Sequence, residues 1–102
     1  MEIKVELSEQ VVAFVARRAP APRRSLRAAL RGLARERGDI RALEGPLKDY
    51  HRLRISGYRI IFAYGLSGKR RTIQCIFAER RSAVYEVFQE LLRKHLLEQE
   101  TE

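Results

Sequence analysis

At 102 residues, 45% hydrophobic and 33% charged, the chain is large enough for one modest core, too small for two domains and too apolar for a disordered tail. No apolar run approaches the roughly 20 residues that span a bilayer, and the polar start MEIKVELSEQ has no signal-peptide layout, so a cytoplasmic protein without a membrane partner is expected. The net charge of +8 is concentrated in the middle: residues 17–81 hold 18 of the 21 Lys and Arg but only 5 of the 13 acids, a field that draws in polyanions, nucleic acid foremost.

Residues 2–7, EIKVEL, alternate polar and apolar side chains and predict a strand with Ile3, Val5 and Leu7 facing inward. Ser8 can cap a helix to about Ala19 with Val11, Val12 and Val15 on its apolar stripe, ended by Pro20 and Pro22. A second helix, from about Arg23 to Arg37, places Leu26, Ala29, Leu30 and Leu33 inward, with Gly38 at its end, and so short a link predicts a helical hairpin. Its outer face carries Arg23, Arg27, Arg31 and Arg35 at four-residue spacing. Such a stripe is either the solvated side or a docking surface for phosphates or an acidic partner, because like charges at that spacing repel.

LEGPL, residues 43–47, reads as a loop, and three strand-like runs follow at about 50–55, 58–64 and 71–78. Ser56-Gly57 between the first two is a two-residue hairpin signal. From Ser82 to about Leu97, Val84, Val87, Phe88, Leu91 and Leu92 recur at helical spacing. The chain is thus expected to be α+β in the order β-α-α-β-β-β-α: a twisted antiparallel sheet flanked by an N-terminal helical hairpin and a C-terminal helix. One domain over residues 1–98 would end in a polar tail over 99–102. The lone Cys75 has no His or Cys neighbours at metal-ligand spacing and reads as a small buried strand residue, so no metal and no cofactor are expected.

The run YHRLRISGYRIIFAY, residues 50–64, holds the chemistry. Strand alternation puts Arg52 and Arg54 on one face and His51, Leu53 and Ile55 on the other, while Tyr58, Ile60, Phe62 and Tyr64 form the apolar face of the next strand. Hairpin pairing would bring Arg59 beside Arg52 and Arg54 on the exposed side. Arg80, Arg81 and Tyr85 follow the last strand, and the carboxylates flanking in sequence are Glu44, Asp49 and Glu79. From pattern alone, these arginines either lie separately on a solvated face or converge on an anion.

YHRLRISGYRIIFAY, followed by a short hairpin, a last strand and RRSAVYEVF, resembles the RelE/ParE toxin superfamily of bacterial toxin–antitoxin modules, most of all its RelE-like branch. The resemblance implies a ribosome-dependent mRNA endoribonuclease, a hydrolase-type mRNA interferase that uses attack of a 2′-hydroxyl on its own phosphate without metal. It assigns Arg59, Arg81 and Tyr85 to catalysis and Arg52, Arg54 and Arg80 to substrate binding. It also implies a cognate antitoxin as partner alongside the ribosome and mRNA. The Arg23, Arg27, Arg31, Arg35 stripe would then meet that antitoxin or ribosomal RNA. Branch members often carry lysines at the places of Arg52 and Arg54, and many carry a histidine at that of Arg80. Arginine does not give up a proton near neutral pH, which leaves Tyr85, or else His51 or Glu79, as the base. Two other functions fit the same fold: a ParE-like toxin that inhibits DNA gyrase without chemistry, and an inactive basic interaction module.

Overall fold

The computed structural model describes residues 2–100, with side chains described for residues 2–95. In chain order it contains β1 (Lys4–Leu7), α1 (Glu9–Ala16), α2 (Pro20–Leu33), β2 (Asp39–Ala42), a short 3-10 turn (Gly45–Leu47), β3 (His51–Ile55), β4 (Tyr58–Ser67), β5 (Arg70–Arg80) and α3 (Val84–Glu100). The strands form one twisted, unclosed sheet in the order β1-β5-β4-β3-β2. Four strands are antiparallel to their neighbours in the meander, and β1 joins β5 in parallel. The expected α+β architecture is present with one strand more, β2. α3 runs to Glu100, and residues 101–102 of the expected polar tail lie outside the described residues. No helix among the described residues is long and apolar enough to cross a membrane.

Both faces of the sheet carry helices. α1 and α2 close one face, where Val11, Phe14, Leu26, Leu30 and Leu33 pack with Leu53, Ile60, Phe62, Ile73, Cys75 and Ala78. α3 closes part of the other, where Val84 and Phe88 meet Leu47, Ile61 and Phe77. Each fully buried side chain of this kind contributes about 1.5–3 kcal/mol. A β-bulge in β5 makes the double burial possible: Ile61 pairs with Phe77 but Phe62 with Cys75, so the extra Ile76 turns Phe77 and Cys75 to opposite faces.

Several local expectations change. Ser8 caps α1 as expected, its hydroxyl accepting from Val11 N at 3.2 Å, but the buried stripe is Val11, Phe14 and Val15, while Val12 is half exposed. Leu7, expected inward, is exposed at the end of β1. Pro20 and Pro22 do not terminate α1; Pro20 opens α2, where a first-turn residue has no helical partner for an N–H and a fixed φ is pre-organised. α2 ends at Leu33, four residues early, because the chain reverses through Glu36 (φ 53°) and Gly38 (φ 123°). A Cβ on Gly38 would lie 2.8 Å from Leu53 Cδ1, so the turn packs directly on β3.

β1 stops at Leu7, yet the edge of β5 stays satisfied. Ser8 N donates to Cys75 O at 2.9 Å, and its hydroxyl donates to Ile76 O at 2.8 Å. The Gln10 amide then donates to Ala78 O and accepts from Ala78 N, both at 2.7 Å, so a helix side chain takes the place of a strand.

Burial pushes the Cys75 thiol up to about 12. The neutral thiol therefore persists at pH 8, and a thiol-specific reagent should label Cys75 only in denaturant; native labelling within minutes would contradict this packing. At the β3–β4 turn Ser56 holds φ 52°, a conformation costing a non-glycine residue about 1–3 kcal/mol. Urea unfolding should show Ser56→Gly at least as stable as the unmodified protein and Ser56→Val about 1–2 kcal/mol less stable.

Candidate functional site

Strand register decides which arginines meet. Ile55 pairs with Tyr58 across the Ser56-Gly57 turn, so Arg54 stands directly opposite Arg59. Outward from that pair, Arg54 faces Asp39 on β2 and Arg59 faces Glu79 on β5. One row across four strands therefore reads Asp39, Arg54, Arg59, Glu79, two carboxylates bracketing two guanidiniums. The next row toward the β2–β3 loop begins Arg41, Arg52 and continues into apolar Ile61 and Phe77. Like charges directly opposite each other destabilise a sheet, so the Arg54–Arg59 pair is not there for stability.

The arginines are not equivalent. Arg52 and Arg59 were expected on an exposed face but are only 8% and 9% exposed, since α3 and the 43–50 loop cover part of that face. Arg52 Nη1 donates to the Asp39 carbonyl at 3.0 Å and to Asp39 Oδ1 at 3.2 Å. Arg54 is half exposed, with its Nη1 3.8 Å from Asp39 Oδ2. Arg59 Nη1 donates to Ser56 O and to Tyr58 O, each at 2.9 Å. Burial pulls the Arg59 pKa below its usual value; the Tyr85 phenol opposes that shift, and Arg54, Arg52 and Arg81 add to it. Arginine starts so high that Arg59 keeps its charge at neutral pH.

The same charges identify the rest of the cluster. Arg81 follows β5, and its backbone N donates to Gly57 O at 2.9 Å, fastening the β5–α3 corner to the β3–β4 turn. Its side chain is exposed and has no ion-pair partner among the described residues. Tyr85 lies in the first turn of α3, half buried against Ile61, Phe77 and Phe88, where its phenol acts on Arg59. Arg52, Arg54, Arg59, Arg81 and Tyr85 thus come together.

Arg80 does not join them. It pairs with Tyr58, whose ring meets Phe14 edge-on at 5.8 Å, so it belongs to the face covered by α1, and it borders two shallow cavities there and beside the turn. Strand alternation sets it one residue out of phase with Glu79, and so on the other face from Arg52, Arg54 and Arg59, although it lines the cavity beside the turn together with Arg81. His51 also lies on the α1–α2 side, stacked 5.5 Å from Phe62, with Nδ1 buried and unpartnered. Glu79 remains on the cluster face, with Oε1 accepting from Arg80 N at 2.8 Å. On α2 the expected stripe is shorter: Arg27 and Arg31 are exposed, Arg23 is half buried, and Arg35 lies past the helix end, its Nε 3.1 Å from Glu2.

Two residues of this face were missed from sequence. Asp39, the carboxylate that receives Arg52 and Arg54, and the exposed Arg41 both sit on β2. Among the described residues, no three of His, Cys, Asp and Glu gather in a metal-binding arrangement.

No protein-family profile and no curated protein sequence matches the chain. An open five-stranded sheet between a helical hairpin and a C-terminal helix nevertheless defines a class of small α+β proteins, and solved structures of that class are similar to this one. They include a YoeB/ParE toxin from Agrobacterium tumefaciens, 17% identical, covering 78% of this chain and 99% of that one with a TM-score of 0.62. A chain of the archaeal RelE–RelB complex from Pyrococcus horikoshii OT3 is 27% identical, covering 79% and 97% with a TM-score of 0.60. A chain of the RelBE2 toxin–antitoxin complex from Mycobacterium tuberculosis is 13% identical, covering 79% and 100% with a TM-score of 0.59. The fold is that of the RelE/ParE toxin superfamily.

Asp39→Ala should lower stability by about 1–2 kcal/mol in urea unfolding, because it strips a buried guanidinium of its charged partner while the backbone carbonyl still accepts. Asp39→Asn should recover part of that loss. An unchanged midpoint in both variants would mean the Arg52–Asp39 pair contributes nothing net.

Proposed function

We propose that the protein is the toxin of a toxin–antitoxin module and cleaves mRNA on the ribosome by attack of a 2′-hydroxyl on the adjacent phosphorus. The observation that carries this reading is the direct Arg54–Arg59 pairing, with Arg81 and Tyr85 beside it, on a sheet face where a like-charge pair is otherwise a cost. In the reaction the bond from O2′ to phosphorus forms as the bond to O5′ breaks, giving a 2′,3′-cyclic phosphate and a 5′-hydroxyl end. The proton of the 2′-hydroxyl must leave, and one must reach O5′.

Arg59 and Arg81 stabilise the charge that grows on the five-coordinate phosphorus. Arg59 is pre-set by its bonds to Ser56 O and Tyr58 O, so little reorganisation is needed at the moment of reaction. Tyr85 exchanges the proton with the sugar hydroxyl or stacks on a neighbouring base. Arg54 and the exposed Arg41 hold flanking phosphates. Arg52, buried against Asp39, acts through Arg54 and Arg59 as a strut rather than as a phosphate ligand. The antitoxin is an acidic or amphipathic segment. It fits the groove where Arg27 and Arg31 flank apolar Val5, Leu7 and Leu30, next to the open edge of β1.

Purified protein added to a translating extract should produce new mRNA ends, and Arg81→Ala should reduce their rate by about 10²–10³. Tyr85→Phe should reduce it as well without changing the unfolding midpoint. Gyrase inhibition in a supercoiling assay with no mRNA ends would replace this reading with the ParE-like one, and silence in both assays would leave a binding module.

A further inference from the structure

β4 and β5 run beyond their neighbours. β3 pairs β4 only between Tyr58 and Phe62, and β1 pairs β5 only between Thr72 and Cys75. Past those limits β4 and β5 pair only with each other, out to Ser67 opposite Arg70, as a two-stranded ribbon closed by Gly68 (φ 62°) and Lys69. Every residue from Leu66 to Arg71 is exposed, and the run LSGKRR holds three cations and no acid. Arg71 is engaged, with Nη2 3.4 Å from Glu36 Oε1 and its guanidinium 5.6 Å from the Tyr64 ring centre. Lys69 and Arg70 have no ion-pair partner among the described residues. Leu66, 74% exposed, is the barest of the large apolar side chains described.

Only the last two pairs, Leu66–Arg71 and Ser67–Arg70, lack a third strand, and free cations at this hairpin end add no stability, which leaves them open to an anionic ligand. Ser67 stands eight residues beyond Arg59 on β4, about 26 Å at the rise of a strand. That separation exceeds the Debye length of about 8–10 Å at ordinary salt, so the tip and the arginine cluster act as two distinct cationic sites. A short flexible lysine and a single arginine give phosphate contacts rather than a fixed fork for base edges.

We propose that the β4–β5 tip is a second RNA-backbone contact, in which Lys69 and Arg70 hold two phosphates of a structured RNA while the arginine cluster engages the strand to be cut. This rests on the reading of the protein as an RNA-acting toxin. Two contacts far apart fix the orientation of a large RNA where one does not.

The test is anisotropy titration of a labelled RNA stem-loop, and of a DNA duplex of equal length, across 50–200 mM salt. Lys69→Ala/Arg70→Ala should flatten the plot of log affinity against log salt by about 1.8 on the RNA stem, so that its affinity falls roughly tenfold less over this range than that of the unmodified protein. Arg70→Lys should keep most of the slope, and unchanged thermal midpoints would show that the tip variants fold. An unchanged slope in the double variant on the RNA stem overturns the proposal, as does a loss confined to the DNA duplex. The extract assay separates the two readings: unmodified protein that makes no mRNA ends refutes the cleavage function, whereas a variant with an intact slope beside a cutting parent refutes only the tip contact.

Discussion

The backbone carbonyls of Ser56, Gly57 and Tyr58 each receive a donor from an arginine, two from the Arg59 guanidinium and one from the backbone of Arg81. This turn holds the candidate site together, because it sets a register and ties three elements to it. With two residues in the turn, Arg54 opposes Arg59; a slip of one position would send Arg59 into the apolar layer under α1 and α2. Through Arg81 the same turn fixes where α3 begins, and so where Tyr85 stands.

Helices on both faces give the arginines their differing characters. Had the second face been left to water, Arg52 and Arg59 would be mobile surface cations with ordinary screening. Covered by α3 and the loop before β3, they are held in single geometries by carbonyls and by Asp39. Arg54 and Arg81 stay open beside them. A rigid inner pair next to an accessible outer pair suits a site that must present charge without rearranging. The bulge at Ile76 belongs to the same design, since it lets β5 supply Cys75 to one core and Phe77 to the other.

Much of this was legible in the residues. Alternation in HRLRI and the Ser56-Gly57 signal fixed the hairpin, its register and the face shared by Arg52, Arg54 and Arg59. The apolar period of Leu26, Leu30 and Leu33 marked the buried side of α2. β2 was not legible, because four residues with Ile40 as the one large apolar side chain form a strand only when β3 offers an edge; Asp39 and Arg41 were lost with it. The prolines misled because the same ring that ends a helix also starts one. Arg80 was misplaced because adjacent arginines at a strand end look alike in sequence and differ by a face in the fold.

The Gln10 amide, paired both ways with Ala78, has a mechanical consequence. Ala78 lies three residues ahead of Arg81, so α1 is bolted to the strand that carries the corner of the arginine cluster. The helical layer cannot slide over the sheet without first breaking that clasp and the Ser8 contacts beside it. Any load applied to α1 is therefore passed to the C-terminal half of β5, the stretch that leads into the corner at Arg81.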